Sequence, residues 1–208
     1  MTFEEFVYLG GNMSEDASTD QDLRKRIGLA CGAMQNLSCI WKSNDISNNT
    51  KTRVYGTLVL SILLYNSETW ILREADKSKL RVFEMNCLRK IQGVTRKDRK
   101  RNDDIRRELG MEIDVVQRIQ KKRLGYFWHV VRMKSEQLPN VALFGHVHGT
   151  GTRRRGRPKK RWQNNLDEGL DEMGLNIVEA CRLAASDRNG WRDAVLGQSQ
   201  RGLPSPWH

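Results

Sequence analysis

Asp103 and Asp104 stand side by side, an arrangement from which two carboxylates can hold the metal ions of a phosphoryl-transfer site. Such a pair belongs on a strand-turn-strand hairpin with a third carboxylate beside it. This one opens a helical stretch among charged residues, where a helix cap accounts for it. His146 and His148 alternate at strand spacing, with His129 upstream. No cysteine or carboxylate falls at ligand spacing beside them, so loop polarity is their expected role and no bound metal is predicted. The sequence has no Ser-His-Asp or Cys-His arrangement and no Gly-rich phosphate loop. Catalysis is not expected of this chain alone.

The densest chemistry is electrostatic. Arg153, Arg154, Arg155, Gly156, Arg157, Pro158, Lys159, Lys160 and Arg161 run without interruption into Trp162. Each phosphate neutralised by Lys or Arg releases condensed counterions, so clustered cations supply sequence-independent affinity for a nucleic-acid backbone. Gly156 permits close backbone approach and Pro158 prevents a helix. The Arg-Gly-Arg-Pro centre resembles an AT-hook, whose arginines suit a narrow A·T-rich minor groove. A solvated interdomain linker or an import signal is the plainer reading of the same run.

A second group of cations lies on the amphipathic stretch from Asp114 to Met133. At 100° per residue, Val116, Ile119, Leu124, Phe127, Val130 and Val131 fall on one side. Arg118, Lys121, Lys122, Gly125, His129 and Arg132 share a sector on the other, and no acidic residue occurs between Val115 and Lys134. Ordinary solvated faces mix signs, so this stripe is also a candidate for lying along phosphates.

Composition points the same way. The 208 residues carry a net charge of +11, with 38 % hydrophobic residues, enough for one or two ordinary cores. The longest apolar run, Leu58 to Tyr65, is too short to span a bilayer, and residues 1–8 carry no basic segment of a secretory signal. Cys31, Cys39, Cys87 and Cys181 show no Cys-x-x-Cys spacing and are expected to be buried thiols of a reducing compartment, nuclear or cytoplasmic.

The elements that must position these groups are mostly helices. A β-prone run, Glu5 to Leu9, ends at Gly10 and Gly11 and has no convincing partner strand downstream. A helix capped by Ser18 follows, with Leu23, Ile27, Ala30, Cys31, Met34, Leu37 and Trp41 on its apolar face. The next carries Val54, Leu58, Ile62 and Tyr65 on one stripe and adds Val59 and Leu63, which makes it the most buried element expected, and a third, stopped by Gly93, turns Leu80, Phe83, Cys87, Leu88 and Ile91 inward. Thr95 to Arg101 is a charged loop before a short helix. Residues 135–161 read as a connection without regular structure, and short amphipathic helices from Trp162 and Ile177, and after Asp187, precede a frayed tail.

Five segments in order resemble the C-terminal part of the endonuclease-reverse transcriptase of non-LTR retrotransposons, especially the RTE-like group. They are Phe6-x-Tyr8-Leu9-Gly10, Ile62-Leu63-Leu64-Tyr65 with Glu68-Thr69-Trp70, Cys87-Leu88-Arg89-x-Ile91, Gly156-Arg157-Pro158-x-x-Arg161-Trp162 and Asp187-Arg188-x-x-Trp191-Arg192. Asn66-Ser67 replaces the Gly-Cys common in relatives. The resemblance implies that Phe6, Tyr8, Leu9 and Gly10 belong to a primer-gripping hairpin, that the helices beyond form a thumb and post-thumb region, and that the catalytic aspartates lie upstream of a partial chain. It implies RNA template, primer DNA or target DNA as partners. Mg²⁺ is implied only for the palm and endonuclease of the parent, with no cofactor in this chain. No membrane and no small-molecule substrate is expected.

The expected fold is mainly α: a helical thumb-like bundle preceded by one orphan β-strand, with a basic loop and short C-terminal helices. The expected divisions are the end of a palm-like hairpin at 1–13, a helical domain at 14–134, a basic linker at 135–161, a helical C-terminal region at 162–196 and a tail at 197–208. The rival to the retrotransposon reading is a free-standing AT-hook-like DNA-binding module. A scaffold meeting anionic membrane ranks last, because the large apolar residues point to the core.

Overall fold

The computed structural model describes residues 5–8, 11–14, 19–144 and 160–196. Among these the protein is mainly α-helical, in two compact units, Met1–Ile119 and Gln120–His208.

The first unit opens with a hairpin. β1 (Glu5–Tyr8) pairs antiparallel with β2 (Gly11–Ser14), in the register Tyr8 to Gly11 and Glu5 to Ser14. The expected orphan strand therefore has a partner. Gly11, Asn12 and Ser14 have poor strand propensity, and ladder pairing to a close, β-prone neighbour supplies the extended conformation that their side chains do not.

α1 (Asp20–Asn36) buries Leu23, Ala30 and Met34. It starts later than the sequence predicts and stops at Leu37, leaving Trp41 on a separate short helix, α2 (Ser38–Lys42). Ser18, the expected cap, lies outside the described residues. Thr19 holds the entrance instead: its hydroxyl accepts the Ile71 N–H (2.9 Å) and donates to the Ile71 carbonyl (3.3 Å). The indoles are satisfied inside the core, Trp70 donating to Asp22 Oδ2 (2.7 Å) and Trp41 to the Met34 carbonyl (2.9 Å).

The next rod joins α3 (Asn48–Val54), a π-helical segment (Tyr55–Leu60) and α4 (Ser61–Leu63). Lys51, Tyr55, Val59, Leu60 and Leu63 are buried, Val59 and Leu63 as expected; of the expected stripe, Val54 and Ile62 are half-buried against the core, whereas Leu58 and Tyr65 are not part of it. Residues four apart drift about 40° per step in an α-helix, and the wider i→i+5 turn cancels that drift, so a strict spacing of four stays on one face. Leu58 and Tyr65 are 48 % and 47 % exposed. The rod's polar face answers its own carbonyls: Thr57 donates to Arg53 (3.0 Å) and Ser61 to Thr57 (2.6 Å).

α5 (Glu74–Gln92) buries Leu80, Phe83, Leu88 and Ile91, and Gly93 ends it at φ +73°. Its Glu84 carboxylate is fully buried. Oε2 accepts the Arg106 guanidinium (2.5 Å) from α6 (Asn102–Glu108) and the Val115 N–H (3.1 Å) at the first residue of α7 (Val115–Val131). One charge thereby joins three helices and caps the third.

The thiols differ from expectation. Cys87 is buried, and burial above all, with Cys31 and Glu84 nearby, pushes it up to about 12. Cys181 is half-buried and raised by burial, whereas Cys31 and Cys39 are exposed.

The second unit takes α7 from Gln120 onward. Its core is Leu124, Phe127, Leu166, Leu170, Ala180, Ala184, Trp191 and Val195. The presumed structureless linker contains α8 (Leu138–Phe144), with Pro139 in the first turn, where its missing N–H is tolerated. Asn140 fastens α8 by donating to the Val130 (3.1 Å) and Met133 (3.4 Å) carbonyls at the end of α7. α9 (Trp162–Glu172), α10 (Ile177–Ser186) and α11 (Arg188–Leu196) follow, with Asn176 and Glu179 closing a reciprocal capping box. Asp187 caps α11 as its sequence predicts, accepting from Asn189 (3.0 Å) and Gly190 (2.9 Å). No helix among the described residues is long and apolar enough to cross a membrane.

Glu84→Ala should cost about 3–5 kcal/mol, because Arg106 and the start of α7 lose their shared acceptor in a dry site. Leu58→Ala should cost less than about 0.5 kcal/mol, as for an ordinary surface change. Denaturant melts followed by helical circular dichroism measure both, and a Leu58 loss as large as the Glu84 loss would overturn the rod's assigned register.

Candidate nucleic-acid interface

The last two cations of the basic run, Lys160 and Arg161, are described; Arg153, Arg154, Arg155, Gly156, Arg157 and Lys159 lie outside the described residues. The run's C-terminal end is fixed to α7, α8 and α9. Lys160 Nζ pairs with Glu168 Oε1 (2.6 Å), and the Arg161 N–H donates to Asn164 Oδ1 (2.8 Å) across the first turn of α9. Trp162 meets Tyr126 edge to face, with ring centroids 6.2 Å apart and planes at 87°. Gln163 Nε2 donates to the Leu143 carbonyl (2.8 Å) on α8. The tryptophan that follows the cations is thus an anchor. Arg161 is exposed, while the charge of Lys160 is already matched by Glu168.

Beneath this anchor lies a cluster that the sequence pattern did not single out. Arg123 is almost fully buried and donates to Gln120 Oε1; Gln120 Nε2 donates to the Asn165 carbonyl (2.8 Å), and Asn165 Nδ2 to Glu168 Oε2 (3.3 Å). Burial lowers the Arg123 guanidinium to about 10, against the opposing pull of Glu168. Arg123 lies about 40° around the helix from Phe127, on the apolar face. A cation at such a position needs a buried acceptor, and that was the available signal. Gly169 makes room: a Cβ there would stand 1.7 Å from Gln120 Nε2.

The cationic sector of α7 is less open than its spacing implies. Arg118 belongs to the first unit, half-buried with Nη2 3.7 Å from Met111 Sδ, and its charge acts on the buried Tyr55. Lys121 and Lys122 are half-buried. Arg132 is exposed, its guanidinium 5.0 Å from the centre of the Trp128 ring. Phe6 and Tyr8 fall in β1, while Leu9 and Gly10 lie outside the described residues. Asp103 and Asp104 occupy the first turn of α6, where Asp104 Oδ1 takes Arg107 (3.2 Å); His129 is exposed, and His146 and His148 lie outside the described residues.

Gly169→Ala should destabilise the protein by about 1–3 kcal/mol, because Gln120 must leave both Asn165 and Arg123 to admit the methyl group. Gln120→Ala in that background should recover part of the loss. A double-mutant cycle in thermal denaturation checks this, and additive single losses would refute the steric account.

Comparison with known proteins gives two matches. Residues 33–65 match a family described as a domain of unknown function (DUF6451). Over 196 residues the chain is 23 % identical to the uncharacterized transposon-derived protein F52C9.6 of Caenorhabditis elegans, an alignment covering 90 % of this chain and 68 % of that protein. No solved structure matches. The chain is similar over most of its length to a protein of transposon origin.

Proposed function

We propose that this chain is the thumb and post-thumb part of a non-LTR retrotransposon reverse transcriptase of the RTE-like group. It binds RNA template, primer DNA or target DNA through its basic run and does no chemistry alone. The observation that carries this reading is the similarity to a transposon-derived protein across 90 % of the chain. Two features support it: the mainly helical fold, and an anchor at Lys160 and Trp162 that ties the basic run to packed helices. The cations that serve the backbone on this reading are Arg153, Arg154, Arg155, Arg157, Lys159 and Arg161, with Arg132 and the exposed parts of Lys121 and Lys122. Lys160 and Arg118 hold structure first, and Phe6 and Tyr8 belong to a primer-gripping hairpin.

Titration against an A·T tract, a G·C duplex and an RNA–DNA hybrid across a salt series tests the reading. Arg153→Ala with Arg154→Ala should flatten the slope of log affinity on log salt by about 2 units on either duplex, since each duplex phosphate contact contributes about 0.9. Primer extension and plasmid nicking with Mg²⁺ should both be blank. A wild-type preference of about tenfold or more for the A·T tract, lost in Arg155→Ala with Arg157→Ala, would replace this reading by the minor-groove module.

A further inference from the structure

We propose that the turn joining α5 to α6 is a second seat for a nucleic-acid backbone, formed by Arg96, Lys97, Arg99 and Arg101. It rests on the nucleic-acid-binding reading above but uses none of the residues assigned there. Residues 96–101 hold five cations and one carboxylate. That carboxylate, Asp98, is exposed but bonded within the turn: Oδ2 accepts the Thr95 N–H (2.6 Å) and the Thr95 hydroxyl (2.9 Å), and these bonds hold Asp98 below the usual carboxylate range. It shapes the turn and pairs with none of the neighbouring cations.

Of the five cations, Lys100 is paired with Glu108 (2.5 Å). The other four are exposed, and among the described residues none forms an ion pair; Arg96 donates only to the neutral Asn86 Oδ1 (3.3 Å). The nearby carboxylates do not compensate them, since Asp104 is engaged by Arg107 and Asp103 pairs with none of the four. Four like charges are thus left together on one short segment, which is electrostatically unfavourable without a polyanion.

The turn is also built to a fixed shape. Gly93 at φ +73° closes α5, with the Val94 N–H on the Arg89 carbonyl (3.0 Å). A single 3₁₀ turn, Arg96–Asp98, follows, and Arg99 takes φ +51°, a left-handed conformation uncommon for a residue with a side chain. Arg89 Nη2 clamps Asn102 Oδ1 (2.5 Å), and the buried Ile91 and Ile105 pin the two flanks. Preformed presentation of cations reduces the ordering cost of binding. Thr95 to Arg101 carries no apolar side chain, so it lacks the wedge that a membrane-surface element inserts, and a phosphate backbone is the fitting polyanion.

The test uses the full chain with a labelled duplex, an RNA–DNA hybrid of the same sequence, and phosphatidylserine-containing vesicles. The variant Lys97→Gln/Arg99→Asn/Arg101→Gln keeps a residue tolerant of the left-handed region at 99. It should flatten the duplex salt slope by about 2–3 units, at 0.9 per phosphate. Arg96→Gln/Lys97→Gln, which leaves position 99 alone, should flatten it by about 2. Lys100→Gln, whose charge Glu108 already matches, should leave the slope at the wild-type value. Unchanged slopes in both loop variants, or loss of vesicle binding alone, would overturn the proposal. Loop variants with a wild-type slope that Arg153→Ala/Arg154→Ala still flattens would sink this seat and leave the reading above intact. A wild-type chain that binds neither nucleic acid would end both.

Discussion

The first unit depends on one carboxylate taken out of water. Glu84 sits on the buried face of α5, and a bare charge there is tolerable only with strong compensation. Arg106 and the N-terminal end of α7 supply it, the first as a guanidinium and the second as an N–H at the positive end of a helix. The price of an isolated charge becomes a constraint on geometry, because α6 must present Arg106 and α7 must begin at Val115 for Oε2 to keep both partners. Replacing such a set wholesale by apolar residues can be neutral, while removing one member is severe.

With the start of α7 fixed, the directions of its first residues, through Ile119, follow from the 100° step. Val115 and Ile119 belong to the core of the first unit, Leu124 and Phe127 to that of the second, and the boundary between the units falls at Ile119 and Gln120, within the span of α7. The sequence, with no Gly or Pro to mark a break there, suggested a helical domain ending at 134. Continuity of a helix conceals a boundary that is defined by which core each turn enters.

What was legible followed from rules that local residues enforce. Gly93, Asp187 and the apolar spacing of α5, α9, α10 and α11 each have a nearest-neighbour cause, and each stands where the sequence placed it. The departures share another cause. Val54, Leu58 and Ile62 share the spacing of four with Tyr55, Val59 and Leu63, and that spacing does not tell which stripe packs inward, while β2 takes its conformation from pairing rather than composition. Arg123 was hidden because its acceptor, Gln120, is held by Asn165 from α9, a partner that no local pattern connects to it. α8 escaped because Pro139 and the surrounding polarity resemble a loop until Asn140 is seen closing the end of α7.

The same distinction governs what a basic sequence means. Net charge counts every cation equally, yet a folded chain spends some of them on itself, and those contribute little to releasing counterions from a polyanion. Lys160 faces Glu168, Lys100 faces Glu108, Arg106 faces Glu84, and Arg123 is enclosed with a lowered affinity for its proton. Freedom from acidic neighbours ranks the α7 stripe above the turn after α5, because the stripe has none and the turn contains Asp98. Counting only exposed charge without a carboxylate partner reverses that order: Arg118, Lys121 and Lys122 are partly enclosed, whereas Asp98 is occupied by Thr95 and leaves Arg96, Lys97, Arg99 and Arg101 to solvent. An acidic residue inside a basic loop is therefore no sign of neutralisation until its hydrogen-bond partners are known. When that residue folds the loop, as Asp98 does, its charge remains, but its oxygen is bonded to Thr95 and not to the cations beside it.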